Sequence, residues 1–239
     1  IIKKGYIKGI IGLPANLFYG TGIPACIIVI DKENAHARTG IFMVDASKGF
    51  VKDGNKNRLR SQDLHKIVDA FTKQVEIDKY SRMVPLAEIE KHGFNLNIPR
   101  YIDSSEPEDL QDIEAHLKGG IPVRDVDELG EFWQVLPAVR DTLFGPGDRE
   151  GYLTPLVDAS GVKSAILDHA EFTTFTDRVT AVFEDWRAAH IDRLRGIAIG
   201  DKPKDLIAEI SEDLLDRFKP VPLIDGYDVY QHLMTYWAE

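Results

Sequence analysis

Two runs of apolar, β-branched residues, Ile7 to Leu13 and Ala25 to Ile30, stand either side of a glycine- and proline-rich connection, Pro14 to Pro24, that reads PANLFYGTGIP. The pattern predicts strand, loop, strand. Ile27, Ile28, Val29 and Ile30 follow one another without a polar residue, which predicts a second strand covered on both faces, as inside an α/β sheet and unlike a solvent-facing hairpin. Cys26 is then expected to be a small core residue. A chain that begins on Ile1 and Ile2 and enters such a strand at once is expected to open inside a larger domain. The tail, ending soon after Trp237 without a polar cap, points the same way, so both ends are expected to be cut from a longer protein.

The rest of the chain is expected to be α+β. Gly40 to Ala46 predicts a third strand and Lys48 to Asn57 an exposed basic loop. Ser61 to Tyr80 carries Leu64, Ile67, Val68 and Phe71 at helical spacing, with Ser61 as N-cap. Pro85 to Lys91 predicts a short helix stopped by Gly93, Asn95 to Ile98 an extended exit, and Asp103 to Asp109 a linker. Beyond it the chain reads as helices: Pro107 to Lys118, Val126 to Val139, Ser164 to Ala170, Phe172 to Leu194, Pro203 to Phe218 and Tyr227 to Trp237. In the longest, Phe172, Phe175, Val179, Val182, Phe183, Trp186 and Ala189 form one apolar stripe that something must cover. The domains expected are 1–102 and 103–239.

Charge divides at the same place. Residues 1–102 hold 16 Lys and Arg against 10 Asp and Glu, a net of +6; residues 103–239 hold 13 against 29, a net of −16, and together they make the −10 of the chain. A basic first half suits a polyanion, whereas an acidic second half suits solvent or a basic protein surface. A single cysteine excludes an internal disulfide and a CxxC metal site, and seven scattered histidines argue against a bound metal. No apolar run approaches a membrane span and no signal-peptide pattern is present, so a cytoplasmic location is expected. HExxH, GxSxG and GxxxxGK[ST] are all missing. Gly20 and Gly22 lack the third glycine of a dinucleotide fingerprint, and Ser160 to Lys163 matches SxxK by letters alone.

Two constellations carry chemistry. In the first, Phe18, Tyr19, Gly20 and Thr21 lie in the strand-to-strand connection, where glycines relax the backbone and the aromatics offer flat faces. Such faces hold a base taken out of its stack; equally, they could plug the end of a sheet. In the second, Lys48, Lys52, Lys56, Arg58 and Arg60, with Lys66 beyond, are interspersed with glycines and asparagines that allow close approach to a phosphate backbone. Loops of this kind track DNA without reading bases, and a merely solvated loop is the alternative.

The strings IIGLPANLFYGTGIPACIIVID, FMVDASKGF, GFNLNIPRYID, PKDLIAEISEDLLDRF and LIDGYDVYQHLMTYW, in that order, resemble the modification subunit of type I restriction-modification systems, an N6-adenine DNA methyltransferase. The resemblance implies that Ile7 to Ile30 are among the last strands of a Rossmann-like methyltransferase sheet. It also implies that the Phe18–Tyr19 loop packs the target base, and that the helical remainder assembles with the specificity subunit and DNA. The family's S-adenosylmethionine loop and its Asn-Pro-Pro-aromatic motif are both missing from these 239 residues, so no catalytic residue is assigned here and the fragment alone is expected to be inactive. Its implied partners are DNA and the specificity and restriction subunits. A non-catalytic DNA-binding or subunit-assembly module is the alternative.

Overall fold

The computed structural model describes residues 1–105 and 111–238. They form two compact units, Ile1–Pro107 with Met234–Ala238, and Glu108–Leu233. The fold is α+β, with a mixed sheet followed by mainly helical structure.

In the first unit β1 (Ile7–Gly12) and β2 (Cys26–Ile30) form an antiparallel pair around the expected connection. β3 (Gly40–Asp45) lies parallel to β1 on its other side. β4 (Val51–Asp53) and β5 (Lys56–Arg58) make a separate small hairpin where a loop was expected. Helix α1 (Ser61–Lys73) follows, then β6 (Ser81–Pro85), antiparallel to β3, and α2 (Leu86–Lys91). The main sheet therefore has the order β2-β1-β3-β6.

Strand alternation builds two cores from one sheet. Ile41 and Met43 of β3 face Ile89 of α2 together with Ile98, Tyr101 and Ile102. Phe42 and Val44 face the opposite layer with Ile67 of α1 and Leu13. Ile10 and Ile11 divide between the same two faces. Ile7 shares a face with Ile10 although the separation is odd, because the β1–β2 register shifts between Ile7 and Gly9. Such a bulge inserts one residue and resets the alternation. Gly9 can carry no side chain: a Cβ there would come within 2.4 Å of the Phe71 ring and 2.5 Å of the Phe42 carbonyl oxygen.

β2 corrects the expectation of an interior strand. It is an edge strand that pairs only with β1 among the described residues, and Cys26, Ile27, Ile28 and Ile30 are exposed. Among the described residues its apolar run is left uncovered. In α1, Ile67 and Ala70 are buried and Phe71 packs on the core, while Leu64 and Val68 are exposed. The inward face follows positions 63, 67, 70 and 71, which leaves 64 and 68 on its flank. Arg60, not Ser61, is the N-cap.

In the second unit α3 (Ile113–Lys118) leads into β7 (Ile121–Pro122). The expected linker Asp103–Asp109 and the start of the Pro107–Lys118 helix lie partly outside the described residues. The expected helix Val126–Val139 is instead three pieces, α4 (Val123–Asp127), α5 (Gly130–Val135) and α6 (Pro137–Leu143). Pro137 explains one break, since proline fits a first turn and not a helix interior. β8 (Phe144–Pro146) and β9 (Tyr152–Pro155) complete an unexpected small sheet of order β7-β9-β8. Helices α7 (Val162–Leu167), α8 (Ala170–Arg195), α9 (Pro203–Phe218) and α10 (Gly226–Ala238) follow, close to expectation.

The stripe on α8, which had to be covered by something, is covered from within its own unit. Phe175 packs with Leu136, Val139 and Leu143, and Trp186 packs with Leu206, Ile210, Leu214 and Phe218 of α9. The Trp186 indole donates to the Ile210 carbonyl at 3.0 Å, which satisfies the one polar group the ring brings inside. Phe183 stays largely exposed. No described helix is long and apolar enough to cross a membrane.

Candidate nucleic-acid interface

Because β1 and β3 run parallel, their carboxyl ends, Gly12 and Asp45, lie side by side in register. The connections that leave them therefore emerge at one end of the sheet, the place where open α/β sheets collect functional loops. The junction is tightly made. Ala46 N–H donates to the Gly12 carbonyl at 2.9 Å. The Asp45 carboxylate accepts Ser47 N–H at 3.0 Å and the Ser104 hydroxyl at 2.6 Å. A cavity of about 280 Å³ opens here, lined by Asp45, Lys48, Gly49, Lys79, Tyr80, Ser104 and Ser105. Burial first, then the Asp63 and Asp45 carboxylates, push the Tyr80 phenol well above its ordinary range. Hydrogen bonds from the Ser105 hydroxyl and N–H hold the Asp103 carboxyl below its ordinary value, with Lys79 and Lys48 adding to the effect.

The aromatic loop projects from this end. Phe18 is 54% exposed and Tyr19 91%, so neither plugs the sheet, and the connection is anchored instead by buried Pro14 and by Leu17, which packs against the core. Gly20 has φ +78°, a backbone region that glycine enters without steric cost, and Thr21 Oγ accepts Ile23 N–H at 3.1 Å. Asn16 also has positive φ, +53°. Asparagine tolerates this better than most residues.

The basic residues separate by the company they keep. Arg60 is committed to the start of α1: its Nε and Nη2 each lie 2.9 Å from the Asp63 carboxylate, which also accepts Arg60 N–H at 2.8 Å. Lys48 Nζ donates to the Ser104 carbonyl. Arg58 pairs with Asp53 at 3.3 Å in full view of solvent. Lys52 lies 5.5 Å from the Phe50 ring, with no carboxylate within ion-pair reach among the described residues. Lys56 sits on the Tyr19 ring, its Nζ buried without a hydrogen-bond partner among the described residues, and that burial pushes its ammonium down from the ordinary value. The loop and the basic segment, separate in sequence, are thus neighbours through Tyr19 and Lys56.

Asn57, absent from the sequence-based candidates, makes the second link. Its side-chain amide donates to the Ala15 carbonyl at 2.7 Å and its N–H to the Asn16 carbonyl at 2.9 Å. The signal for it was alternation: in β5 a residue between two cations points to the opposite face from both. No group of His, Cys, Asp or Glu fit to hold a metal occurs among the described residues.

Comparison with known proteins supplies what geometry alone does not. Residues 1–110 match the N-6 DNA methylase family. The matched span holds the whole main sheet, the aromatic loop and the basic hairpin. The MjaVII type I restriction enzyme methylase subunit of Methanocaldococcus jannaschii is 34% identical over 122 residues, covering 49% of this chain and 21% of that protein. The MpnII type I restriction enzyme methylase subunit of Mycoplasma pneumoniae is 30% identical over 115 residues, covering 48% and 21%. The chain thus spans about a fifth of the length of these curated relatives. A crystal structure of a type I restriction-modification system methyltransferase subunit from Streptococcus thermophilus shares 38% identity over 44% of this chain and 22% of that one, with a TM-score of 0.40. The resemblance read from the sequence is to the same kind of protein, and over this N-6 DNA methylase span the comparisons bear it out.

Proposed function

We propose that this chain is part of the methylase subunit of a type I restriction-modification system, whose complete form transfers a methyl group from S-adenosylmethionine to adenine N6 in DNA, in the cytoplasm. Residues 1–102 form the end of its catalytic domain, and 103–239 a region that assembles with the specificity and restriction subunits. The observation that carries the reading is the N-6 DNA methylase match over residues 1–110, which takes in an exposed aromatic pair braced by a basic hairpin. Stacking on such an aromatic is worth about 1 to 3 kcal/mol per base, enough to hold a flipped adenine.

The residues present do not fit S-adenosylmethionine. A glycine-rich turn opening a helix is missing from the sequence, and the Asp45 carboxylate at the sheet end is already engaged by Ser47 and Ser104. Cofactor binding and transfer are therefore assigned to segments of the methylase other than these, and the 239 residues alone are expected to be inactive. Titration calorimetry with S-adenosylmethionine tests this on the 239-residue chain and on a form extended through an Asn-Pro-Pro-aromatic motif. Binding by the extended form alone supports the proposal. Binding by the short chain overturns the assignment, and binding by neither favours a non-catalytic DNA-binding or assembly module.

A further inference from the structure

The aromatic loop has a structural difficulty. Its two rings are exposed, and past Pro14, which is buried at its start, only Leu17 is packed against the core before Ala25, yet a loop that receives a base must stand in one place. What fixes it comes from 42 residues away in the sequence. Asn57 is 5% exposed and donates twice, from its side chain to Ala15 and from its backbone to Asn16. The positive φ of Asn16 marks the bend that both bonds clasp. The remaining polar atom of the side chain, Oδ1, is buried as well. Either side of Asn57 stand Lys56 and Arg58, which alternation turns to the other face. One three-residue strand thus meets the aromatic loop twice, through Asn57 and through Lys56 on the Tyr19 ring, and holds Arg58 exposed beside it.

We propose that Asn57 is a positioning residue, which couples the basic hairpin rigidly to the Phe18–Tyr19 loop so that a DNA phosphate bound by the hairpin sets where the loop meets the target base. This rests on the DNA methyltransferase reading above. Asn57 touches neither base nor phosphate. It acts by making two contact surfaces one body.

The test uses the complete methylase subunit assembled with its specificity subunit on two duplexes: unmodified DNA for methyl transfer, and the same duplex with 2-aminopurine at the target adenine, which lacks the 6-amino group and reports base flipping alone. Asn57→Asp keeps the side chain's size and turns the amide that donates to Ala15 into a second acceptor. The expected result is a fall of roughly tenfold or more in single-turnover methyl transfer and in the 2-aminopurine signal, since small misplacements at a reacting centre cost that much or more. In the neutral variant Asn57→Ser the DNA dissociation constant and its salt dependence change little, because every cation remains and no anion is added, whereas the charge of Asn57→Asp also lowers affinity. Asn57→Ser, which keeps the backbone tie and a shorter donor, shows the same split at smaller amplitude and serves if Asn57→Asp does not fold. Unchanged transfer and fluorescence in folded variants overturn the proposal, as does a loss that only tracks weakened DNA binding or lowered thermal stability. Lys52→Gln with Lys56→Gln separates the two readings: if this pair leaves the salt dependence unmoved, the hairpin's DNA role itself fails, whatever Asn57 does.

Discussion

The five cations of the basic segment look equivalent in sequence, but their surroundings make them unequal in any contact with DNA. Arg60 spends its guanidinium on Asp63 and Lys48 donates to a backbone carbonyl, whereas Lys52 and Lys56 have no carboxylate partner among the described residues, Lys56 having only the Tyr19 ring to leave. Each phosphate contact contributes a slope of about 0.9 to the fall of log affinity with log salt. Neutralising Lys52 and Lys56 together is therefore expected to flatten the slope by about 1.8, which weakens binding about sixtyfold at 0.1 M salt and hardly at all towards 1 M. Arg60→Gln is expected to lower thermal stability and leave the slope within one contact of the parent. Fluorescence anisotropy of the assembled methylase on duplex DNA, titrated from low to high salt, measures both. A flattening by Arg60→Gln as large as that of the lysine pair refutes this reasoning, as does a lysine pair with no effect on the slope.

Other substitutions probe different parts of the molecule. Asp63→Ala removes the carboxylate that accepts the Arg60 N–H at the start of α1, and urea unfolding is expected to show a loss of about 1 to 2 kcal/mol. Phe18→Ala and Tyr19→Ala remove exposed rings, so each is expected to change stability by less than about 0.5 kcal/mol, while one of them sharply reduces methylation by the complete enzyme. Ile210→Ala empties a fully buried position beneath Trp186 and is expected to cost about 2 to 5 kcal/mol by the same unfolding measurement. At Asp213, desolvation that would raise the carboxyl is outweighed by hydrogen bonds from His190 and Arg217, which hold it below its ordinary value of 3.8. A depressed carboxylate stabilises the fold above that value and loses its contribution as pH falls through the lower folded one. The stability gap between the parent and Asp213→Asn, followed by unfolding at successive pH values, is accordingly expected to close below about pH 4.

Helices with a long period were legible in the sequence because one repeat decides them: α9 matches its expected range, Pro203 to Phe218, and α8 lies within two residues of its own at each end. What covers a face was not legible. The same apolar run that predicts an interior strand at Cys26 to Ile30 occurs here on an edge, since a run of isoleucines reports a preference and not a neighbour. Conversely the α8 stripe, which showed only that some cover was needed, finds it in α6 and α9, distant in sequence and close in space. The small sheet of β7, β8 and β9 was hidden because strands of two to four residues are too short to show a period. At the candidate interface residue types alone picked out Phe18, Tyr19 and the basic segment. They could not reveal Asn57 or the engagement of Lys48, because both depend on hydrogen bonds between residues tens of positions apart.

A strand paired along one side carries two kinds of amide. In β1 and β3, flanked on both sides, hydrogen exchange into heavy water is expected to be slow at nearly every position. In β2 only the amides turned toward β1 are held, and those turned outward exchange freely, so protection along Cys26 to Ile30 should alternate. That alternation is a built-in gauge: it vanishes when another strand comes to lie against β2, and it reports the event residue by residue without any label.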